Sequence, residues 1–438
     1  MVNSERVARV SQIRGKVQTV STLLVEGGHR LEGALTVEGN KNAALPLLAA
    51  CLLTDQECVL TNMPRIRDVD VMAALLVDLG ATVDGIGTST LRVTCARVTS
   101  DAPDAALVGR LRGSVLLLGP LLARRGSARL ADPGGDFPTR RTLSTHLQAL
   151  TAMGARLVDA PGHVLDAPDG VKPVSLYLEE ASVTGTETAL LAAAAAPGRS
   201  QFRHAACEPH VAELCAFIQQ MGVGIEGAGT STITVEGGMR LTGATHQLSG
   251  DYLEAGSWAV VAAVTGGAVE ISGARPDDLE PVTAVLGRMK VQCRLDHDRL
   301  QVLPSQPVGL GRLATGLWPG FPSDFVSLLA VLATQATGRS LIHDWMYELR
   351  LFALEQLSGM GADFFLCDPH RIIVTGPTRL RGRQLDGRDL RSGMALIAAA
   401  LAADGESRVR PLETVERGYA RVVEHLVALG ARVERVDE

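Results

Sequence analysis

Aromatic residues make up only 3% of the 438 residues, too few to line a groove with the stacking platforms that single-stranded nucleic acids require. A formal net charge of −6 and a pI near 6.0 remove any chain-wide basic footprint, so no nucleic-acid partner is expected and a basic site must be local. The seven cysteines, Cys51, Cys58, Cys95, Cys207, Cys215, Cys293 and Cys367, contain no CxxC pair and no regular spacing. That excludes a zinc ribbon or a disulfide scaffold, fits a reducing compartment and predicts no metal site. Long hydrophobic runs are missing too. The longest apolar stretches, "VLLLGPLLA" at 115–123 and "ALLAAAAAP" at 189–197, fall far short of the roughly 18–20 residues that span a bilayer. The opening "MVNSERVARVSQIRGKVQTV" lacks the apolar core of a signal peptide. The expectation is a cytoplasmic protein without a membrane partner; the oligomeric state is not readable.

What the chain has is hydrophobic content, 46%, and repetition. An apolar helix ending in Leu/Met-Gly and running into a strand recurs six times: "VMAALLVDLGATVD", "HLQALTAMGARLVD", "ELCAFIQQMGVGIE", "PVTAVLGRMKVQCRL", "LFALEQLSGMGADFF" and "VVEHLVALGARVERV". The glycine, a lysine in the fourth copy, falls at 80, 154, 222, 290, 361 and 430, at intervals of 74, 68, 68, 71 and 69. A fixed long period marks a repeated supersecondary unit. Between these phrases stand six helices apolar almost all round: "NAALPLLAACLL", "GSVLLLGPLLARRG", "TETALLAAAAAPG", "GSWAVVAAVTGG", "DFVSLLAVLATQATG" and "SGMALIAAALAADG". All-round apolarity predicts buried helices, whereas the Leu/Met-Gly helices keep one polar side. The fold class is therefore α+β, six units of strands with one buried and one surface helix. A three-plus-three division predicts one domain over 41–248 and another built from 1–40 plus 249–438, with the site in the cleft between them.

The residues that open the buried helices are Lys41-Asn42, Arg112-Gly113-Ser114, Thr184-Gly185-Thr186, Ala255-Gly256-Ser257, Ser323-Asp324 and Arg391-Ser392-Gly393. Small polar residues there read equally as ordinary N-caps, the favoured reading for the Thr184 and Ser257 segments. Cations oppose the helix dipole, so Lys41, Arg112 and Arg391 point to an anionic ligand. The stretch "DPGGDFPTRR" sets Asp136 after a tight turn and just before Arg140 and Arg141.

Taken together, "LEGALTVEGNKNAALPLLAACLL", "LRGSVLLLGPLLARRG", "DPGGDFPTRR", "SVTGTET", "FPSD", "DLRSG" and "ERGYARV" resemble the enolpyruvyl transferase family from about residue 22 to the C-terminus. The resemblance implies a two-domain inside-out α/β barrel and no cofactor. It implies transfer of the enolpyruvyl group of phosphoenolpyruvate to a sugar hydroxyl of a uridine nucleotide, releasing phosphate through a tetrahedral ketal. UDP-N-acetylglucosamine is the first acceptor implied; the 3′-hydroxyl of uridine monophosphate, as in nucleoside-antibiotic pathways, and shikimate 3-phosphate are alternatives. Lys41, Arg141 and Arg417 would bind phosphoenolpyruvate, with Arg112 and Arg391 completing a cationic pocket. Asp324 would be the general base and Asp136, where the family more commonly has Cys, the proton donor to C3. Asn42, His146, Ser182, Thr184, Gly185 and Arg350 are expected against substrate.

Several acceptor-facing segments depart from the family's usual wording. After Arg141 the chain reads Thr142-Leu143-Ser144-Thr145-His146 rather than Pro-Val/Leu-Asp-Leu/Met-His, and Ala206-Cys207-Glu208-Pro209-His210 loses an arginine. "FPSDF" and "MYELR" also differ. "GIGTST" and "GAGTST" run into strand-like residues and read as turns, as does "LDHDRL". A non-enzyme reading, a repeat-built binding protein, would place recognition residues along one open surface instead of at the starts of buried helices.

Overall fold

A computed structural model describes residues 20–134, 142–347 and 350–437. They form two compact units, the first from residues 39–134 and 142–249, the second from 20–38, 250–347 and 350–437. Six small sheets are present among the described residues, three in each unit. Five have four strands and one has three. The four-stranded sheets mix antiparallel ladders with one parallel pair, as where Thr245–Gln247 runs parallel to Cys58–Thr61, or Glu32–Thr36 to Ala268–Ser272. The strand Ser21–Glu26 is antiparallel to both Glu406–Arg410 and Arg432–Asp437, so the N-terminal strand belongs to the second unit.

Six buried helices carry the cores: α1 (Lys41–Ala50), α2 (Leu118–Arg125), α3 (Val183–Ala195), α4 (Tyr252–Val264), α5 (Val326–Gln335) and α6 (Leu390–Ala402). α2 and α5 are entered through 3₁₀ turns, Arg112–Leu117 and Ser323–Phe325. α4 is buried along its whole length, as its lack of a polar side requires. Helices so apolar pack closely where glycine lets them. A Cβ on Gly119 would stand 2.9 Å from the Thr188 carbonyl oxygen of α3, and one on Gly256 would meet the Phe325 ring at 2.6 Å. The Leu/Met-Gly helices, such as Arg67–Asp78 and Pro276–Arg288, keep exposed positions, and Gly80, Gly154, Gly222, Gly361 and Gly430 that follow such helices all have positive φ. That is the left-handed C-terminal stop glycine supplies.

Two expectations about helix starts are corrected. α4 begins at Tyr252, with the Asp251 carboxylate accepting from Leu253 N and Glu254 N, so Ser257 lies inside the helix. Its hydroxyl donates to the Leu253 carbonyl and meets the Tyr419 hydroxyl at 2.9 Å. The cap of α3 is Ser182, not Thr184. Both segments were better capped upstream, by residues whose extended backbone suits the N-cap position. "GIGTST" and "GAGTST" are turns, each closed by a threonine hydroxyl donating to a glycine carbonyl, and "LDHDRL" spans the turn between Gln292–Asp296 and Arg299–Leu303. Among the described residues no helix is long and apolar enough to cross a membrane, and no group of three or more His, Cys, Asp or Glu could hold a metal. All seven cysteines are free; burial pushes the Cys215 thiol up to about 12 and Cys293 up to about 11.

Candidate active site

In the first unit, Lys41 is the first residue of α1, and Asn40 before it accepts from Asn42 N at 2.8 Å and Ala43 N at 3.3 Å. Lys41 Nζ lies 2.7 Å from Asp68 Oδ2, a carboxylate almost wholly buried in the first turn of Arg67–Asp78. Arg112, at the 3₁₀ entry to α2, donates from Nη2 to the Thr142 carbonyl at 3.2 Å. His146, buried on the helix Ser144–Ala152, pairs its Nε2 with Thr184 Oγ1 at 2.9 Å. Burial first, and then the charge of Arg112, lower the His146 pKa to about 4, so the ring is neutral at ordinary pH. Ser182 Oγ accepts from Gly185 N, and a Cβ on Gly185 would stand 2.9 Å from Thr145 Cγ2, which closes the space beside His146 to anything but glycine. The first unit thus gathers Lys41 and Asn42 at one helix start, and Arg112, His146, Ser182, Thr184 and Gly185 around another.

In the second unit, Asp324 stands in the 3₁₀ entry to α5, its side chain one-third exposed at 34%. Its Oδ1 accepts from Arg391 Nε at 2.9 Å and lies 3.9 Å from Arg350 Nη2. Arg391, the second residue of α6, is buried, and its Nη1 donates to the Tyr419 hydroxyl at 3.1 Å. Burial works against its charge, but the Tyr419 oxygen, Asp324 and Asp251 outweigh it and raise its pKa. Arg350 donates to Ser323 Oγ at 2.7 Å and packs its guanidinium 4.3 Å from the Tyr347 ring centre. Arg417 sits on the turn after the short helix Leu412–Val415, which packs on α6 where a Cβ on Gly393 would meet Val415 Cγ2 at 2.7 Å. Asp324, Arg350 and Arg391 are therefore one cluster. Asp136 and Arg141 lie outside the described residues.

Three side chains absent from the sequence reading belong here: Asp68 on Lys41, Tyr419 on Arg391 and Asp344 behind Ser323. Tyr419 falls inside "ERGYARV", two residues after Arg417, and was legible there; Asp68 and Asp344 carry no local signal. The internal acids at Lys41 and Arg391 also mean that a cation at a helix start is offset inside the protein as well as by any ligand.

Chemically, the described groups offer cations for an anionic substrate, a neutral histidine, and one carboxylate reachable from solvent and held on one oxygen by an arginine. That carboxylate turns Oδ1 to Arg391, and a carboxylate so placed can take a proton.

The chain matches the family model of EPSP synthase (3-phosphoshikimate 1-carboxyvinyltransferase) over residues 25–426. It is 41% identical over 423 residues to the UDP-N-acetylglucosamine 1-carboxyvinyltransferase of Bradyrhizobium diazoefficiens, covering 95% of this chain and 98% of the relative. It is 39% identical over 419 residues to the protein of the same name in Treponema denticola, covering 94% and 98%. Among solved structures, the enolpyruvyl transferase NikO from Streptomyces tendae superposes with a TM-score of 0.86 at 25% identity, covering 96% of this chain and all of that one. EPSP synthase from Acinetobacter baumannii shares the fold, with a TM-score of 0.72 at 18% identity.

Proposed function

The chain belongs to the enolpyruvyl (1-carboxyvinyl) transferase family, and from that premise we propose that it transfers the enolpyruvyl group of phosphoenolpyruvate to UDP-N-acetylglucosamine, releasing phosphate. The observation that carries the acceptor is the 41% identity over 423 residues to a UDP-N-acetylglucosamine 1-carboxyvinyltransferase. In this reading each unit is one half of the family's inside-out α/β barrel, and the protein works in the cytoplasm.

Phosphoenolpyruvate carries a phosphate and a carboxylate, for which Lys41, Arg112, Arg141 and Arg417 supply charge and bidentate donors. Asp324 takes the acceptor hydroxyl's proton as that oxygen bonds to C2, while Asp136 delivers a proton to C3. The tetrahedral ketal then collapses, the C2–O bond to phosphate breaking and C3 returning a proton to restore the double bond. Arg391 holds Oδ1 of Asp324 and so orients the carboxylate that the base role needs. Asn42 and Arg350 face the acceptor. Neutral His146, with Ser182, Thr184 and Gly185, shapes its other contacts without adding charge.

A second acceptor, uridine monophosphate or a similar nucleotide, is favoured by the departures at Thr142–His146 and Ala206–His210. Incubation with phosphoenolpyruvate and each nucleotide, followed by mass spectrometry, decides between them. The enolpyruvyl increment should appear on UDP-N-acetylglucosamine; its appearance on uridine monophosphate alone replaces the first reading, and no increment with phosphate unreleased removes both.

A further inference from the structure

Behind the Asp324 cluster lies a carboxylate that the reaction does not use. Asp344 is fully buried at the end of the strand Gly338–His343, and it ties three segments of the second unit together. Its Oδ1 accepts from Thr315 Oγ1 at 3.0 Å and from Met346 N at 3.3 Å, and its Oδ2 from Ser323 Oγ at 2.7 Å. Its backbone is clamped as well: Asp344 N donates to the His370 carbonyl at 2.8 Å, and the Asp344 carbonyl meets His370 Nδ1 at 2.7 Å.

The proton directions in this network are forced. A carboxylate oxygen only accepts, so Ser323 Oγ, while receiving Arg350 Nη1 at 2.7 Å, sends its single hydrogen to Asp344. A backbone N–H only donates, so the oxygen facing Met346 must accept. Both oxygens of Asp344 are therefore acceptors, and an amide in their place would aim a donor at Met346 N or at Ser323 Oγ. Arg350, held on one side by Ser323 and on another by the Tyr347 ring, reaches Asp324 Oδ1 at 3.9 Å. Ser323 is also the chain neighbour of Asp324.

We propose that Asp344 is a positioning residue of the transfer reaction: by fixing the Ser323 hydroxyl it aims Arg350 and sets Asp324 at the acceptor hydroxyl. This rests on the reading of Asp324 as the base. The same reading predicts that the effect falls on turnover more than on phosphoenolpyruvate binding, because Arg350, the cation that Asp344 aims, is assigned to the acceptor.

The test uses the full chain with Asp344→Asn, Ser323→Ala and Ser323→Thr, assayed by phosphate release. Asp344→Asn and Ser323→Ala should lower kcat about tenfold or more, with KM for phosphoenolpyruvate unchanged within about threefold. Ser323→Thr, which keeps a hydroxyl, should restore kcat. Crystals of Asp344→Asn should show Arg350 Nη1 moved beyond about 3.5 Å from Ser323 Oγ. Unchanged kcat in Ser323→Ala, or an intact Arg350–Ser323 contact in Asp344→Asn, overturns the proposal. If Asp344→Asn does not fold, the Ser323 pair decides. Wild type that releases no phosphate with any uridine nucleotide refutes the functional reading instead, and the crystallographic distance still judges this one.

Discussion

The two units place a cation at the start of a buried helix by different means. In the first, Arg112 donates to the Thr142 carbonyl and Lys41 meets the Asp68 carboxylate. In the second, Arg391 is buried against Asp324 and a tyrosine hydroxyl that itself meets Ser257. One repeat position thus carries a cation held by a backbone carbonyl in one unit and by a carboxylate and a phenol in the other. Position in a repeat fixes where a side chain emerges; its neighbours fix what holds it.

The largest effect expected is at the reactive end of the second cluster. Asp324→Asn, which keeps the volume, should lower kcat by roughly 10²–10⁴, and Lys41→Ala and Arg417→Ala should raise KM for phosphoenolpyruvate as well as lower kcat. Steady-state phosphate release measures all three. A comparable loss is expected for Asp136→Ala. Asp136→Cys should make the enzyme open to alkylation by the epoxide fosfomycin, to which the carboxylate is inert, read as an added mass on the intact protein.

Stability should divide the units next. Arg391→Ala should cost about 1–3 kcal/mol, since it leaves the buried Tyr419 hydroxyl and one oxygen of the part-exposed Asp324 without their partner, and Arg112→Ala, which removes a donor to the Thr142 carbonyl, should cost less. Denaturant unfolding of the two variants side by side checks the contrast, and equal losses would break it.

A smaller effect depends on pH. His146 is held near 4 in the folded protein, below the roughly 6.5 of an unfolded histidine. Above about 6.5 the ring is neutral in both states and contributes nothing to the pH dependence. As pH falls from there towards 4, the unfolded chain takes up a proton that the native chain refuses, so stability drops by up to about 3 kcal/mol. His146→Gln should flatten the loss of unfolding free energy between about pH 7 and pH 4.5. A slope equal to wild type would show that other groups account for the acid sensitivity.

Much of this was written along the chain. The six buried helices follow from apolar residues with no polar side, and the glycines after five surface helices from the need for positive φ. Lys41, Arg112 and Arg391 stand out because a cation at the start of an apolar helix opposes the dipole, and Asp324 stands out through the family resemblance of "FPSD". Their partners do not stand out. Asp68 is one acid in "RIRDVD", and Asp344 one in "IHDWM"; what makes each of them matter is burial beside a residue far along the chain, which only tertiary packing creates. Thr184 and Ser257 were read as caps because their chemistry suits capping, but upstream residues with extended backbones took that place and freed their hydroxyls for His146 and Tyr419.

The antiparallel pairing of Ser21–Glu26 with Glu406–Arg410 and Arg432–Asp437 also sets a timetable. A ribosome delivers the first unit in one uninterrupted run, so by the time residue 249 has emerged its three sheets have all their described strands. The strand at 21–26 must wait through that whole interval, and then through the synthesis of the rest of the chain, before both its neighbours exist. Until then it is an unpaired edge, guarded by little more than Glu26 and the charged residues just after it. Ser21, which donates its hydroxyl hydrogen bond to Glu413, is joined to its partner across 392 positions of sequence, so this strand is among the last parts of the second unit to be finished. Removing residues 432–437 should accordingly expose not the C-terminus alone but the strand at 21–26, seen as new proteolytic cleavage there.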